Sequence, residues 1–374
     1  MTTISEFASQ FSEEPGYLDF AGVGPVGHGV ETEAAAQHGL LGRARFGTLG
    51  SLAGQELRVR ESVAQLTGFR PDQVAFQPNT SQGLMHAMFG LSGGVALSAA
   101  EFPSITFAAV RAASAIGALT PTWLETDHGR VTPGNIRDQL TEEIVAVAVS
   151  LVDFRTGYRA DIEGIRQVIG DRLLIVDAIQ GFGVVDAPYQ LADVVAAGGQ
   201  KWVRAGWGTG FVALSDRAVD RLSPVFSGFI GTDVIDLPLD EVPPPTHGAG
   251  AFRVSNPDPI AAGRFAAALE GIAEVGVPAI AASIAEKTEA VIDLADEFGI
   301  PVISPRDRSE RAGIVVVEPA PDQLTVLAAS LLNHGVSVTV RQGSVRISPH
   351  VSTTDETYAM LRASFTSFAS AVNV

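Results

Sequence analysis

The chain has 374 residues, a net charge of −17 at neutral pH and no cysteine. Its length suits two domains that share an interface, and its negative charge argues against nucleic acid and anionic membrane as partners. The missing cysteines exclude disulfides and thiolate nucleophiles, and the seven histidines lack the spacing of metal ligands, so no metal is expected. No apolar stretch reaches the roughly 18 residues of a membrane span. The acidic N-terminus lacks the apolar centre of a signal peptide, so a cytoplasmic location is expected.

Hydrophobic periodicity predicts alternating helices and strands behind an N-terminal arm over residues 1–24. Helices are predicted over residues 34–41, 56–66, 84–91, 105–116, 162–169, 215–222, 259–275, 278–298, 323–334 and 354–368. Strands are predicted over residues 74–77, 95–98, 121–124, 144–152, 173–176, 192–197, 211–214, 313–317, 336–340 and 344–347. The alternation is typical of an α/β protein, with a large domain over residues 25–249 and a small α/β domain over residues 250–374. Residues 224–248, rich in proline and glycine, predict a long loop between the two.

A turn of small polar residues follows the first predicted strand. Asn79, Thr80 and Ser81 stand where the next helix begins. The free N–H groups and hydroxyls of such a turn can bind a phosphate. The same residue types also cap helices without any ligand. The residues alone leave both interpretations open.

The most informative stretch runs over residues 173–210. An apolar strand ends in Asp177, and a second one leads through Gly198-Gly-Gln-Lys201 to a glycine-rich segment. Ligands of α/β sheets bind beyond the carboxyl ends of such strands. An acid and a lysine at two strand ends are the pair that pyridoxal phosphate needs: the lysine forms a Schiff base with the aldehyde, and the acid holds the pyridine nitrogen protonated.

The scarcity of lysine supports this interpretation. The chain contains two lysines, Lys201 and Lys287, and Lys287 lies in an amphipathic helical pattern with a charged face. If a lysine performs covalent chemistry here, it is Lys201. Taken singly, Lys201 would be an ordinary loop lysine and Asp177 a strand-end cap. Their joint placement favours the cofactor.

A further candidate lies near the C-terminus. Arg346 stands in a short strand, and a guanidinium binds a carboxylate through two parallel hydrogen bonds, as an amino-acid site requires. Arg341 is a weaker alternative for the same role. The residues alone favour an exposed strand arginine.

With Asp177, Gln180, Lys201-Trp202 and the following Gly-x-Gly, the chain resembles the class V aminotransferase group of fold-type I pyridoxal-phosphate enzymes. Cysteine desulfurases, kynureninases, isopenicillin N epimerase and several transaminases belong to this group. The resemblance extends from residue 17 to residue 348. It implies a mostly parallel seven-stranded sheet in the large domain and a homodimer with the site at the interface.

The resemblance also implies roles for individual residues. Phe102 would stack on the pyridine face, Asp153 and Gln180 would lie near the ring oxygen, and Arg346 would bind the substrate α-carboxylate. Residues that would hold the phosphate are Asn79, Thr80, Ser81, Gln200 and, from the neighbouring subunit, Asn256. This sequence departs from the group at four positions. Asp153 stands where the group more often has an amide, Gln200 stands in place of a histidine, Asn256 in place of a threonine, and Phe20, on the substrate side, in place of an asparagine.

The function expected from these features is an aminotransferase that acts on an amino acid through a Lys201 Schiff base, with Asp177 as the acid on the ring nitrogen. A β-lyase and a kynureninase-like hydrolase are the alternatives, because all three begin with removal of the α-proton. A non-catalytic binding protein on the same fold is the alternative of another class. A nicotinamide oxidoreductase is a distant third, since no complete glycine fingerprint is present.

Overall fold

A computed structural model describes residues 2–234, 240–341 and 343–372. The α-helices are α1 (Ile4–Ala8), α2 (His28–Arg43), α3 (Thr48–Ala53), α4 (Gln55–Thr67), α5 (Thr80–Gly90), α6 (Pro103–Ile116), α7 (Pro133–Arg137), α8 (Ile162–Ile169), α9 (Asp216–Arg221), α10 (Pro259–Val275), α11 (Val277–Glu297), α12 (Leu324–Asn333) and α13 (Asp355–Val372). The strands are β1 (Val74–Phe76), β2 (Gly93–Ser98), β3 (Leu119–Leu124), β4 (Ile144–Ser150), β5 (Leu173–Asp177), β6 (Val194–Gly198), β7 (Gly210–Leu214), β8 (Val315–Val317), β9 (Thr339–Arg341) and β10 (Ser344–Ile347).

The large sheet has seven strands in the order β1-β7-β6-β5-β4-β2-β3. The neighbouring pairs β3–β2, β2–β4, β4–β5 and β5–β6 are parallel. Strand β7 runs antiparallel to both of its neighbours, β1 and β6. The prediction of a mostly parallel seven-stranded sheet is therefore confirmed.

Continuous apolar runs form the central strands because both faces of the sheet are covered. In β5, Leu173 and Ile175 pack in a core under α5 and α6, while Leu174 and Val176 pack in a core on the opposite face. All four side chains are at most 1% exposed, and burying each one stabilises the fold by about 1.5–3 kcal/mol. This double burial fixes the sheet that carries the site.

The small sheet has the order β8-β10-β9 and is antiparallel throughout. It packs with α12, α13 and the second half of α11 around a third core, which also takes in Leu18 of the N-terminal arm. The predicted strand over residues 336–340 begins only at Thr339. The backbone of Ser337 is occupied by the arm: its N–H donates to the Gly16 carbonyl at 2.8 Å, and its carbonyl accepts from Leu18 N–H at 2.9 Å.

Helix α10 lies beyond the predicted domain boundary at residue 250, yet it packs against α2 and α4. Phe265 and Leu269 of this helix belong to the core on one face of the large sheet. The boundaries at residues 24 and 249 stay predictions, although the first helix after residue 250 shares the core of the large sheet.

Two segments complete the description. The predicted loop over residues 224–248 contains a 3₁₀ turn at Phe229–Gly231, and its residues 235–239 lie outside the described residues. Within the described ranges no single helix is long and apolar enough to cross a membrane. Helices α10 and α11 together meet the criteria of length and composition, but the chain bends by 85° between them.

Candidate functional site

The parallel strands end at one edge of the large sheet, and the predicted acid and lysine follow two neighbouring strands there. Ser150, Asp177 and Ala196 lie side by side in register on β4, β5 and β6. Asp177 is the last residue of β5, and Lys201 follows the end of β6 by three residues. The topology therefore brings the two residues together, as expected for strand ends that form a ligand site.

The Asp177 carboxylate is buried, with 2% of the residue exposed. Its Oδ1 accepts a hydrogen bond from the Ile179 backbone N–H at 3.0 Å, whereas Oδ2 is buried without a partner among the described residues. Burial raises the pKa of Asp177 to about 6, although the nearby Lys201 acts in the opposite direction. A buried carboxylate oxygen without a donor is costly, so this atom indicates a cationic or N–H-bearing ligand.

The Lys201 amine lies 5.3 Å from the centroid of the Phe102 ring. Within the described part of the chain, no hydrogen bond or ion pair holds its Nζ. Burial lowers the pKa of Lys201 to about 8; the charge of Asp177 opposes this, while Arg346 and Arg341 add to it. A substantial fraction of the amine is therefore neutral, and so nucleophilic, near physiological pH.

Thr80 and Gln200 face a common space at the end of β6. A Cβ atom built on Gly198 would lie 3.1 Å from Thr80 Oγ1 and 2.3 Å from Gln200 Oε1, so only glycine leaves this space open. Thr80 Oγ1 is buried and has no partner among the described residues. Thr80 is also the first residue of α5, whose N-terminal N–H groups attract anions.

The two other predicted phosphate ligands of the α5 turn have partners of their own. Asn79 is the N-cap, and its Oδ1 accepts from Gln82 N–H at 2.9 Å. Ser81 Oγ lies 2.7 Å from Ser104 Oγ, at the start of α6. The capping interpretation therefore describes Asn79, while the Ser81 hydroxyl remains within a polar pair beside the helix start.

Gln180 is buried and serves as a bridge between two segments. Its Nε2 donates to the Ala21 carbonyl at 3.0 Å, and its Oε1 accepts from Trp202 Nε1 at 2.8 Å. The amide thus ties the N-terminal arm to the turn that carries Lys201. Its contact with the ring oxygen of the cofactor stays a prediction. The second N–H of Nε2, which the Ala21 bond does not use, is the donor available for that contact.

Asp153 is paired with an arginine that the sequence analysis did not single out. Its Oδ2 accepts from Arg155 Nη2 at 2.7 Å, and its Oδ1 accepts from the Arg155 backbone N–H at 2.6 Å. Both carboxylate oxygens are therefore engaged by one residue. The placement of Asp153 near the ring oxygen of the cofactor stays a prediction. The charge of its carboxylate is balanced by Arg155.

Arg346 is 3% exposed, which contradicts the alternative of an exposed strand arginine. Its Nη2 donates to Thr339 Oγ1 at 3.0 Å and to Asp19 Oδ1 at 3.3 Å, and its Nη1 donates to the Phe154 carbonyl at 3.4 Å. Its Nε is buried without a partner in the described ranges. Three of its five N–H groups thus fix the guanidinium in place, while Nε–H and one N–H of Nη1 remain for a ligand.

The N-terminal segment takes part in the site through Asp19 but not through Phe20. The Phe20 side chain is fully buried, and its ring stacks on His350 with centroids 4.9 Å apart. The aromatic replacement of an asparagine at this position is therefore a packing residue. The segment also crosses the lysine turn closely, because a Cβ on Gly24 would lie 1.9 Å from the Lys201 carbonyl oxygen.

Asn256 is exposed, and no side-chain hydrogen bond holds it among the described residues. It lines a groove of about 300 Å³ together with Pro78 and Gln82, beside the start of α5. Its predicted role, binding the phosphate in a neighbouring subunit, stays a prediction.

Glu101 is a residue of the site that the sequence analysis missed. Its Oε2 accepts from Ser150 Oγ at 2.5 Å and from Ser150 N–H at 3.1 Å, which places it one strand away from Asp177. Burial, with smaller contributions from the charges of Asp153 and Asp177, raises the pKa of Glu101 to about 7 against the opposing hydrogen bonds from Ser150. Its place directly before Phe102, in the turn after β2, was the available signal.

Comparison with known proteins decides the family. The model of the family described as Aminotransferase class-V matches residues 36–374. The chain belongs to this family. Its cofactor is therefore pyridoxal phosphate, and its fold is that of the fold-type I enzymes.

Three relatives of this class V chain illustrate its range. It is 28% identical over 274 residues to a kynureninase of Deinococcus radiodurans, a match that covers 69% of this chain and 64% of the kynureninase, slightly less than two thirds of that protein. It is 24% identical over 306 residues to an uncharacterized aminotransferase, YcbU, of Bacillus subtilis, covering 79% of each chain. Among solved structures, a C-DES variant with glycine covalently linked to its pyridoxal-phosphate cofactor superposes with a TM-score of 0.84, at 16% identity, over 94% of this chain and 96% of the other.

The atoms left without partners fit the class V cofactor chemically. Asp177 Oδ2 matches the protonated pyridine nitrogen, Thr80 Oγ1 matches the phosphate, and the unpaired Lys201 Nζ matches the aldehyde. The ring nitrogen, the phosphate and the aldehyde of the cofactor thus each correspond to an atom that has no partner in the part of the chain that the structure describes.

The pKa of Lys201 gives a first testable expectation. Cofactor-free protein should attach pyridoxal phosphate covalently at a rate that rises with pH, with a midpoint near 8, because the neutral amine is the nucleophile. Stopped-flow absorbance from about pH 6.5 to 9.5 measures this rate, a range that spans the transition. A Lys201→Ala variant provides the baseline. A midpoint near the ordinary lysine value of 10.5 would contradict the burial argument.

Proposed function

We propose that the chain is an aminotransferase that transfers the amino group of an amino acid to a keto acid, with Lys201 as its catalytic base. The carrying observation is the Lys201 amine, whose Nζ has no hydrogen bond or ion pair in the described residues and whose pKa is lowered to about 8. Pyridoxal phosphate supplies a ring that withdraws the electron pair left on the substrate α-carbon.

The proposed roles follow from the contacts of the site. Arg346 binds the substrate α-carboxylate through its free Nε, and Asp19 and Thr339 fix its orientation. Lys201 Nζ takes the α-proton and returns it to a neighbouring carbon, which a single base can do. Phe102, whose ring centroid lies 5.3 Å from Nζ, would stack on the pyridine ring.

Transamination is favoured over elimination by what surrounds the base. An elimination also needs a proton for most leaving groups, from the same lysine or from a second acid. Asp153 is held by Arg155, Glu101 is held by Ser150, and Gln200 cannot titrate near neutral pH. Transamination needs only one base, and Lys201 Nζ has no hydrogen bond or ion pair in the described residues. Glu101, whose pKa is raised to about 7, is the acid that an elimination would use.

A β-lyase or kynureninase-like hydrolase is the second candidate, supported by the similarity to a kynureninase and by the Phe154-Arg-Thr-Gly157 segment. The homodimer and the cytoplasmic location are parts of this proposal. Trp207 is 68% exposed, and Asn256 is exposed in the groove that the neighbouring Gly208 also lines. Both are consistent with a partner subunit that covers this groove.

The reaction type is tested by incubating the loaded protein with single amino acids and no keto acid. We expect one equivalent of keto acid per site, conversion of the cofactor to pyridoxamine phosphate, and no ammonia. Addition of a keto acid should then restore the starting absorption spectrum. Continuous release of ammonia, or of anthranilate from kynurenine, would instead establish the lyase or hydrolase alternative.

A further inference from the structure

The small sheet presents two arginines to the site from the same face. Thr339 of β9 lies opposite Arg346 of β10, and the two are joined by the 3.0 Å hydrogen bond from Arg346 Nη2. Side chains two residues apart on a strand share a face, so Arg341 lies on the face that carries Thr339 and Arg346.

Arg341 is connected to the lysine through two aromatic rings. Its guanidinium carbon lies 4.9 Å from the centroid of Phe154. The Phe154 ring meets Phe102 edge-on, with centroids 5.1 Å apart, and Phe102 lies 5.3 Å from Lys201 Nζ. A chain of ring contacts therefore joins the Arg341 guanidinium to the lysine, and its charge acts on the Lys201 amine.

Arg341 has no carboxylate partner in the described ranges, although the chain carries 42 acidic residues against 25 basic ones. Asp19, the acid that pairs with Arg346, already accepts from Thr339 Oγ1 at 2.7 Å and from Arg346. Other arginines near the site do have acids: Arg155 is paired with Asp153 and Arg204 with Glu13. An exposed guanidinium without an acid in the described ranges, beside an arginine that is proposed to bind one carboxylate, indicates a second anionic group.

We propose that Arg341 binds an acidic group at the end of the substrate side chain, so that the preferred amino acid is dicarboxylic or carries an equivalent anion. Arg346 binds the α-carboxylate, and Arg341 receives the second anion in the fork of its guanidinium while its plane stays on Phe154. The inference rests on the proposed function in that the substrate is an amino acid held by Arg346.

The first test is a binding measurement that needs no turnover. Calorimetry on the loaded full-length protein compares succinate and glutarate with their monoamides, which have the same shape and one charge less. We expect the diacid to bind at least about tenfold more tightly, the effect of one charge-assisted hydrogen bond. Arg341→Gln should reduce the ratio to about one, and Arg341→Lys should keep part of it.

The control is Arg137→Gln, in an exposed arginine of α7 that contacts the neighbouring Asp138 and should leave the ratio unchanged. Circular dichroism checks that all variants are folded. A wild-type ratio near one overturns the proposal. The proposal is also overturned if Arg341→Gln leaves the ratio intact. An equal loss of affinity for the diacid and the monoamide is one such result, and it would assign Arg341 to the α-carboxylate or to a partner subunit.

A second test separates this inference from the proposed function. Half-reactions with aspartate against asparagine, and glutamate against glutamine, should show the same Arg341-dependent preference in kcat/KM. If glutarate binding depends on Arg341 but no amino acid reacts, the proposed function fails and the assignment of Arg341 stands. If neutral amino acids react and no acid is preferred, the assignment fails and the proposed function stands.

Discussion

Lys201→Ala is expected to abolish turnover, with a loss of roughly 10⁴-fold or more, because one substitution removes both the covalent attachment point and the base. The unpaired Nζ and the pKa of about 8 describe an amine prepared for both tasks. The variant should still take up pyridoxal phosphate without a covalent bond, since Asp177 and Thr80 remain. Steady-state kinetics and borohydride reduction followed by peptide mapping measure the two effects.

The second lysine provides a matched control, because the chain contains only two. Lys287 Nζ donates to the Thr353 carbonyl at 2.6 Å, in the contact between α11 and the start of α13. Lys287→Ala should retain the borohydride label and the turnover. A label that persists in Lys201→Ala, or a fully active Lys201→Ala variant, would refute the assignment. Failure of both the wild type and the control to take up cofactor would favour the non-catalytic binding protein.

The juxtaposition of Asp177 and Lys201 was predictable from the sequence because a general rule places strand ends together. Apolar runs over residues 173–176 and 192–197 identify buried parallel strands, and whatever follows such strands meets at one edge of the sheet. Asp177 and Lys201 required no knowledge of side-chain directions. The same reasoning gave the mostly parallel sheet only with the help of the resemblance, since periodicity does not order the strands.

Contacts between distant segments were not predictable in this way. Asp19 reaches Arg346 across 327 residues, and Glu101 reaches Ser150 across 49. Neither residue stands out locally, because an acid in a turn is ordinary until its partner is known. Phe20 shows the converse: its position suggested the substrate side, but a large apolar ring gains more by packing on His350 than by facing a polar site.

The capping turn shows where residue type alone is ambiguous. Asn79 caps α5 with its own side chain, whereas the adjacent Thr80 hydroxyl is left without a partner among the described residues. Asn, Thr and Ser suit both roles, so only the direction of each side chain separates a cap from a ligand. The role of Asn256 depends on a neighbouring subunit, which the sequence of one chain does not place.

Asp177→Asn should have opposite effects on turnover and on the stability of the cofactor-free protein. Asp177 is buried with one oxygen that has no partner among the described residues, and its pKa is raised from 3.8 to about 6. The folded state therefore favours the protonated acid. The cost of the buried carboxylate appears as pH rises from about 4 to 6 and is complete above that window. At pH 8, the cofactor-free variant should be more stable than the wild type, by up to about 3 kcal/mol.

Denaturant unfolding of the cofactor-free proteins at pH 8 and near pH 4 measures this difference, which should vanish at the lower pH. The matched control is Asp193→Asn. Asp193 is equally buried, but it accepts from Arg166 at 3.0 Å and from Arg217 at 2.7 Å. Removing its charge leaves two guanidinium groups without their acid, so this variant should lose stability, by roughly 3–5 kcal/mol. The same substitution thus changes the free energy of unfolding in opposite directions at the two sites.

Turnover of the loaded Asp177→Asn variant should instead fall by roughly 10²–10³-fold, because an amide cannot hold the pyridine nitrogen protonated and a buried charge pair is lost. Steady-state kinetics at saturating cofactor measure this fall. A residue that served only as a strand-end cap would lose little activity on this change, since the Ile179 N–H still finds an oxygen at the same place. Gain of stability without cofactor, joined to loss of activity with it, is the signature of a carboxylate that the fold keeps unsatisfied for its ligand. Stability and activity that changed in the same direction would show that Asp177 is a structural residue.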